Sequence, residues 1–88
     1  MIMQLPLADA REVDDVPALN AAIIPHAVRH GAIHGALGSR GIGESLILIA
    51  PHNPLPLLEE IGAREETFDV AYLQEGPRDW RLKFTRTA

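Results

Sequence analysis

The stretch Glu44-Ser45-Leu46-Ile47-Leu48-Ile49-Ala50 decides the fold of this chain. It is an almost unbroken apolar run between Gly43 and Pro51. A run of this length, bounded by glycine and proline, favours a strand over a helix. Because its apolar residues do not alternate with polar ones, both faces of the strand are covered or nearly so. We therefore predict an interior strand over residues 44–50.

Helices are predicted on both sides of this strand along the chain. Before it, Pro25 suits a first helical turn, and apolar residues then recur at helical spacing as far as Leu37. After it, Asn53 is predicted to cap a helix that has Pro54 in its first position and stops at Gly62.

A hairpin is predicted at the carboxyl end. Residues 67–73 and 80–85 each alternate apolar and polar side chains, and Gly76-Pro77 lies between them. That pattern is typical of two antiparallel strands. At the other end, residues 4–9 alternate briefly and predict a first strand.

The remaining segment, residues 9–20, is turn-prone, and a short helical turn is predicted near residues 17–22. The order is then β-α-β-α-β-β in a single domain over residues 1–88. We expect an α/β fold of the α+β two-layer type, with a four-stranded mixed sheet and two helices on one face.

Composition excludes several classes of function. The chain has 12 acidic and 8 basic residues without a basic cluster, so we expect no nucleic-acid partner. Its longest apolar run is far shorter than the ~20 residues that span a bilayer, and residues 1–7 lack a signal-peptide pattern. We therefore expect no membrane partner and a cytoplasmic location. With no cysteine, the chain has neither a thiolate nucleophile nor a thiolate metal ligand.

Five short motifs occur in a characteristic order over residues 5–86. Together they resemble the bacterial family called domain of unknown function 2249. They are Asp9-Ala10-Arg11, Arg29-His30, Gly43-Glu44-Ser45-Leu46, His52-Asn53-Pro54-Leu55-Pro56-Leu57, and Tyr72-Leu73-Gln74-Glu75-Gly76-Pro77 with Trp80-Arg81.

The resemblance implies a fold like that of the TusA-type sulfur carriers, which share the β-α-β-α-β-β order. Their carrier cysteine corresponds to a position near Asp15, and a carboxylate cannot hold a persulfide. The chain also has Asn53 where the family usually has aspartate. Relatives often occur with hemerythrin-like and nitrogen-oxide-related proteins, which associates the family with redox or metal physiology.

Three histidines lie four residues apart on the first predicted helix: His26, His30 and His34. Adjacent members share a helix face, and such a pair can bind one transition metal ion such as zinc or copper. The alternative is that they are surface histidines at the border of the core.

His52 follows the interior strand and precedes the second helix. Ligands tend to bind at this edge of an α/β sheet. We expect His52 and His30 to lie close together, with Arg11, around one concavity that binds a small ligand or a metal. The alternative is that His52 merely packs on a neighbour.

Arg29 falls within the apolar half of its helix, where an unpaired charge would be costly. Asp9 is its predicted partner, with Asp14 and Asp15 as alternatives, unless the side chain extends outward to solvent. Asp9 and Arg29 are thereby further candidates for the ligand site.

No catalytic set of residues is readable, so we expect a small, non-enzymatic binding or accessory module that binds a metal or small ligand through its histidines. The alternative is a protein-interaction domain that forms a homodimer, or docks a partner, through the open face of the sheet. We expect that face to need cover because it carries some of the hairpin's apolar side chains or their alternates. Those side chains are Phe68, Tyr72, Trp80, Leu82 and Phe84.

Overall fold

A computed structural model describes residues 16–88 of the chain. The elements follow the predicted order β-α-β-α-β-β. They are β1 (Ala18–Asn20), a 3₁₀ turn (Ala21–Ile23), α1 (His26–Gly38), β2 (Ser45–Ala50), α2 (Leu55–Gly62), β3 (Phe68–Glu75) and β4 (Trp80–Arg86).

The first strand of this order lies in the segment that was predicted to be turn-prone. β1 runs parallel to β2, with Leu19 opposite Leu48. Pairing with a distant strand outweighs the local turn preference here, because strand formation depends strongly on context. The predicted helical turn near residues 17–22 is wrong in part, since only the short 3₁₀ turn after β1 is helical. The strand predicted at residues 4–9 lies outside the described residues.

The four strands form one mixed sheet in the order β1-β2-β4-β3. β1 is parallel to β2, whereas β2 and β3 are each antiparallel to β4. β2 therefore lies between two neighbours, and the prediction of an interior strand is confirmed.

Both helices cover the same face of the sheet. Buried and half-buried residues alternate along β2, so every second side chain points into the core. On the neighbouring strand, Leu82 and Phe84 are completely buried opposite Leu48 and Leu46. The helices contribute the remaining large core side chains, which are Ile33, Leu37 and Ile61.

The open face of the sheet differs from the expectation. Leu82 and Phe84 are buried beneath the helices, and their alternates on β4 are Arg81, Lys83 and Thr85. The hydroxyl groups of Ser45 and Thr85 share a hydrogen bond of 2.8 Å across β2 and β4. Ile47 and Ile49, half-buried residues of β2, lie on this face beside Lys83 and Arg81, so it combines polar side chains that can face water with two apolar ones.

The beginning of α2 also needs a correction. The cap position is Pro54, without a side-chain cap, and the helix begins at Leu55. Asn53 instead accepts a hydrogen bond of 2.8 Å from the Tyr72 hydroxyl group. A bond to the sheet has replaced the predicted helix cap, so Asn53 joins β3 to the loop after β2. Within residues 16–88, neither helix combines the length and apolarity needed to cross a membrane.

Candidate metal centre

Two helices bring two imidazoles and one carboxylate together. His30 and His34 are one turn apart on α1, and their ring centroids are 4.7 Å apart. Glu60 lies on α2, with its Oε1 atom 3.2 Å from Nε2 of His30 and 3.0 Å from Nε2 of His34. The cluster thus joins the two helices that cover the sheet.

The core fixes the positions of the two helices. Ile33 of α1 and Ile61 of α2 are buried in the same apolar cluster. Each adjoins a member of the polar group, because His34 follows Ile33 and Glu60 precedes Ile61. The polar group therefore lies where the helices meet at the border of the core.

The spacing of the three donor atoms suits a metal ion. The donor atoms of His30, His34 and Glu60 lie within 4.8 Å of one another. A tetrahedral ion with bonds of about 2.0–2.1 Å holds its ligands about 3.3 Å apart. The two nitrogen–oxygen distances, 3.2 and 3.0 Å, differ from this spacing by a few tenths of an ångström, and the donor atoms of the two imidazoles lie within 4.8 Å of each other.

Arg64 lies behind His34, shortly after the end of α2. Its Nη1 atom is 2.8 Å from Nδ1 of His34. Its Nε and Nη2 atoms donate to the two carboxylate oxygens of Glu66, at 3.2 and 3.4 Å. A continuous hydrogen-bonded series therefore runs from Glu66 through Arg64 and His34 to Glu60.

Gly38 leaves room for the guanidinium group of Arg64. A Cβ atom on Gly38, the last residue of α1, would lie 3.2 Å from Nη2 of Arg64. That is closer than ordinary van der Waals contact, so any larger residue would press on the guanidinium group.

Glu66, whose side chain holds Arg64, has a lowered pKa. Its pKa is lowered from the ordinary value of 4.5, first by the hydrogen bond from a backbone amide and then by the bond from Arg64. The positive charges of Arg64 and Arg86 act in the same direction. Glu66 is therefore ionised at neutral pH and holds the guanidinium group of Arg64.

A cleft of about 390 Å³ opens beside the cluster, between α1, the end of β2 and the start of α2. His30 and Glu60 line it, so two members of the cluster face this space. The other polar side chains that line it are His26, Arg29 and His52. The structure thus places His30 and His52 on one cleft. Among residues 16–88, neither His26 nor His52 belongs to the close group of donor atoms.

Arg29 is half-buried and binds the backbone. Its Nε and Nη2 atoms donate to the carbonyl oxygen of Ile24, at 3.2 and 2.9 Å. This carbonyl is a partner that the sequence analysis did not consider. The predicted acidic partners Asp9, Asp14 and Asp15 lie outside the described residues, as does Arg11.

Sequence reasoning missed Glu60 and Arg64. Each is polar and lies near the apolar stripe of α2, but local spacing does not reveal which residue of α1 it meets. The only hint for Glu60 in the sequence is its position beside Ile61, which the apolar pattern of the second helix assigns to the core.

A protein-family model described as "Uncharacterized conserved protein (DUF2249)" matches residues 18–86 of the chain. The match extends from β1 to the end of β4 and includes the whole cluster. No curated protein and no solved structure matches the chain significantly.

Proposed function

Since this chain belongs to the DUF2249 family, whose description names no activity, we propose a function from its geometry. The protein is a small accessory module that binds a divalent transition metal ion between His30, His34 and Glu60. The observation that carries this proposal is the convergence of three donor atoms, from two helices, within 4.8 Å of one another.

The donor set favours particular ions. Two imidazoles and one carboxylate form a set that occurs at zinc sites and at non-haem iron(II) sites. Copper(I) prefers sulfur ligands, and this chain has no cysteine. Zinc and iron(II) are therefore the ions to test first.

The proposed site keeps positions open for exchange. The side chain of His30 is 69% exposed and that of Glu60 is 45% exposed. Three protein ligands leave at least one coordination position free, as in zinc sites that accept water or a substrate. The adjacent cleft gives a small molecule room to occupy that position beside Arg29 and His52. These features favour an exchangeable ion over a permanent structural one.

Calorimetric titration of the untagged, metal-free protein with zinc tests the proposal. We expect one ion per chain. His34→Ala and Glu60→Gln should each lower the affinity by at least about tenfold, because loss of even an outer-shell partner typically costs that much.

His26→Ala is the matched control, because His26 is an exposed histidine on the same helix but outside the close group. It should leave the affinity unchanged. An equal loss in all three variants would show that the cluster is not the site, and no binding by the wild type would contradict the proposed function.

His52 allows a second test of the cleft. If His52 contacts only a small molecule beside the ion, His52→Ala leaves the affinity for zinc alone unchanged. A loss equal to that of His34→Ala would make His52 a metal ligand, as the sequence analysis predicted.

A further inference from the structure

The hydrogen bond between Arg64 and His34 determines where the imidazole carries its proton. A guanidinium group only donates hydrogen bonds and stays protonated in proteins. At 2.8 Å from Nη1 of Arg64, Nδ1 of His34 must therefore accept. The ring proton is then on Nε2, from which it is donated to Glu60 at 3.0 Å.

A metal ion on Nε2 of His34 requires the opposite arrangement. The neutral ring would then carry its proton on Nδ1, the nitrogen that faces Arg64. Histidine ligands almost always donate this second N–H group to a carboxylate, a carbonyl or water. Arg64 instead presents another donor and a positive charge, so the present hydrogen bond and a metal bond exclude each other.

We infer that Arg64 regulates the proposed site by competing with the metal ion for His34. Arg64 needs the ring proton on Nε2, whereas an ion bound to Nε2 needs it on Nδ1. This inference rests on the proposed function, since it concerns the same ion. Binding requires the Nη1 atom of Arg64 to leave Nδ1 of His34.

The surroundings allow Arg64 to move without losing all its partners. Glu66 binds Nε and Nη2, the two nitrogens that do not face the imidazole. The backbone carbonyl oxygen of His34 lies 3.5 Å from Nη1, close to where that atom is now. A small rotation of the guanidinium group therefore exchanges one acceptor for another while Glu66 retains the side chain.

The competition lowers the affinity of the site and couples it to the Glu66–Arg64 pair. Weakening that pair, or removing Arg64, should release His34 for coordination.

The experiment compares zinc titrations of wild type, Arg64→Met and Arg40→Met, all untagged and each comprising residues 1–88. Methionine retains an apolar stem but removes the donors and the charge. Arg40 is the matched control because its side chain is about equally buried, 25% against 19% exposed, and it pairs with Glu44 rather than with an imidazole.

We expect Arg64→Met to bind zinc about 10–100-fold more tightly than wild type, the size of effect typical of outer-shell partners. Arg40→Met should bind like the wild type. Glu66→Gln is a second variant that keeps Arg64 but weakens its anchor, and it should change the affinity in the same direction by a smaller factor.

Nitrogen NMR of the His34 ring supplies an independent readout. In the metal-free wild type, Nδ1 should give the signal of an unprotonated nitrogen and Nε2 that of a protonated one. Zinc should reverse the protonation of Nδ1. An unprotonated Nδ1 in the zinc complex would overturn the inference.

The outcomes separate the inference from the function on which it rests. Zinc binding by the wild type with no gain in Arg64→Met, relative to Arg40→Met, overturns the competition and leaves the metal site standing. No binding by either the wild type or Arg64→Met overturns both. Binding by Arg64→Met alone supports the competition but contradicts the proposed function, because the wild type then binds no zinc.

Discussion

At the scale of single residues, the lowered pKa of Glu66 predicts how the stability of the fold changes with pH. Its pKa is lower in the folded chain than the ordinary value of 4.5, through a backbone amide and then Arg64. A lowered carboxyl pKa stabilises the fold above the ordinary value, and that stability is lost as the pH falls through the folded pKa. Glu66→Gln should therefore be less stable than wild type at pH 7, and the difference should shrink below pH 4.5.

Urea unfolding of both proteins at pH 7 and pH 3 measures this difference. Glu65→Gln is the control, since it removes the same charge from an exposed neighbouring position. A stability difference between Glu66→Gln and wild type that stays constant down to pH 3 would contradict the lowered pKa of Glu66.

Single residues also mark the limit of prediction from sequence. The four-residue spacing of the histidines predicted two imidazoles on one helix face, because residues four apart in sequence share a face of any helix. Glu60 and Arg64 come from beyond β2, and their contacts depend on how α1 and α2 pack together. Asn53 has a favourable residue type for a cap, but the hydroxyl group of Tyr72 occupies its side-chain oxygen. Which of two possible partners such a side chain binds cannot be predicted without knowing the fold.

At the level of elements, the glycines of α1 and of the turn before β2 have opposite roles. Gly35 lies in the helix interior, and a Cβ atom there would meet nothing within 4 Å. Gly35→Ala should therefore stabilise the protein by about 0.5–1 kcal/mol, because glycine is a poor helix former. Gly43 has a φ of +88°, a conformation that disfavours side chains, so Gly43→Ala should destabilise it by about 1–2 kcal/mol.

Equilibrium urea unfolding of the two variants measures both effects. The free energy of unfolding should rise in Gly35→Ala and fall in Gly43→Ala. An effect common to all glycine-to-alanine substitutions would change it in the same direction in both variants. Loss of stability in Gly35→Ala would show that α1 needs the glycine for a contact or a bend.

Among the elements, prediction succeeded where the signal is continuous in sequence. β2 is an apolar run between breakers, and β4 alternates through its whole length, so both were predicted nearly to their observed ends. β1 has three residues, and its identity comes from pairing with β2. Such a short strand has no pattern of its own, which explains why a turn was predicted there.

At the scale of the whole molecule, homodimer formation stays a prediction. The structure moves the candidate contact surface from the open face of the sheet to its β3 edge. The open face displays Arg81 and Lys83, whereas Val70, Tyr72 and Leu73 are exposed on β3. Within residues 16–88, β3 pairs with β4 and is an edge of the sheet. Unpaired edge strands with apolar side chains are natural surfaces for association.

Light scattering at high protein concentration tests this prediction. The wild type should have about twice the mass of one chain, and Leu73→Lys should lower that mass because lysine protects edges from pairing. A monomeric wild type would contradict the prediction. A dimer that Leu73→Lys leaves intact would place the contact elsewhere.

The proposed metal site requires His30, His34 and Glu60 to bind one transition metal ion together. The most direct test is an anomalous difference map at the zinc absorption edge, from crystals of the untagged protein grown with zinc. We expect one peak per chain, within about 2.0–2.2 Å of Nε2 of His30, Nε2 of His34 and the Glu60 carboxylate. We also expect that Nη1 of Arg64 no longer contacts Nδ1 of His34. A cluster without a peak, while Arg64 still binds His34 as it does here, would contradict the claim.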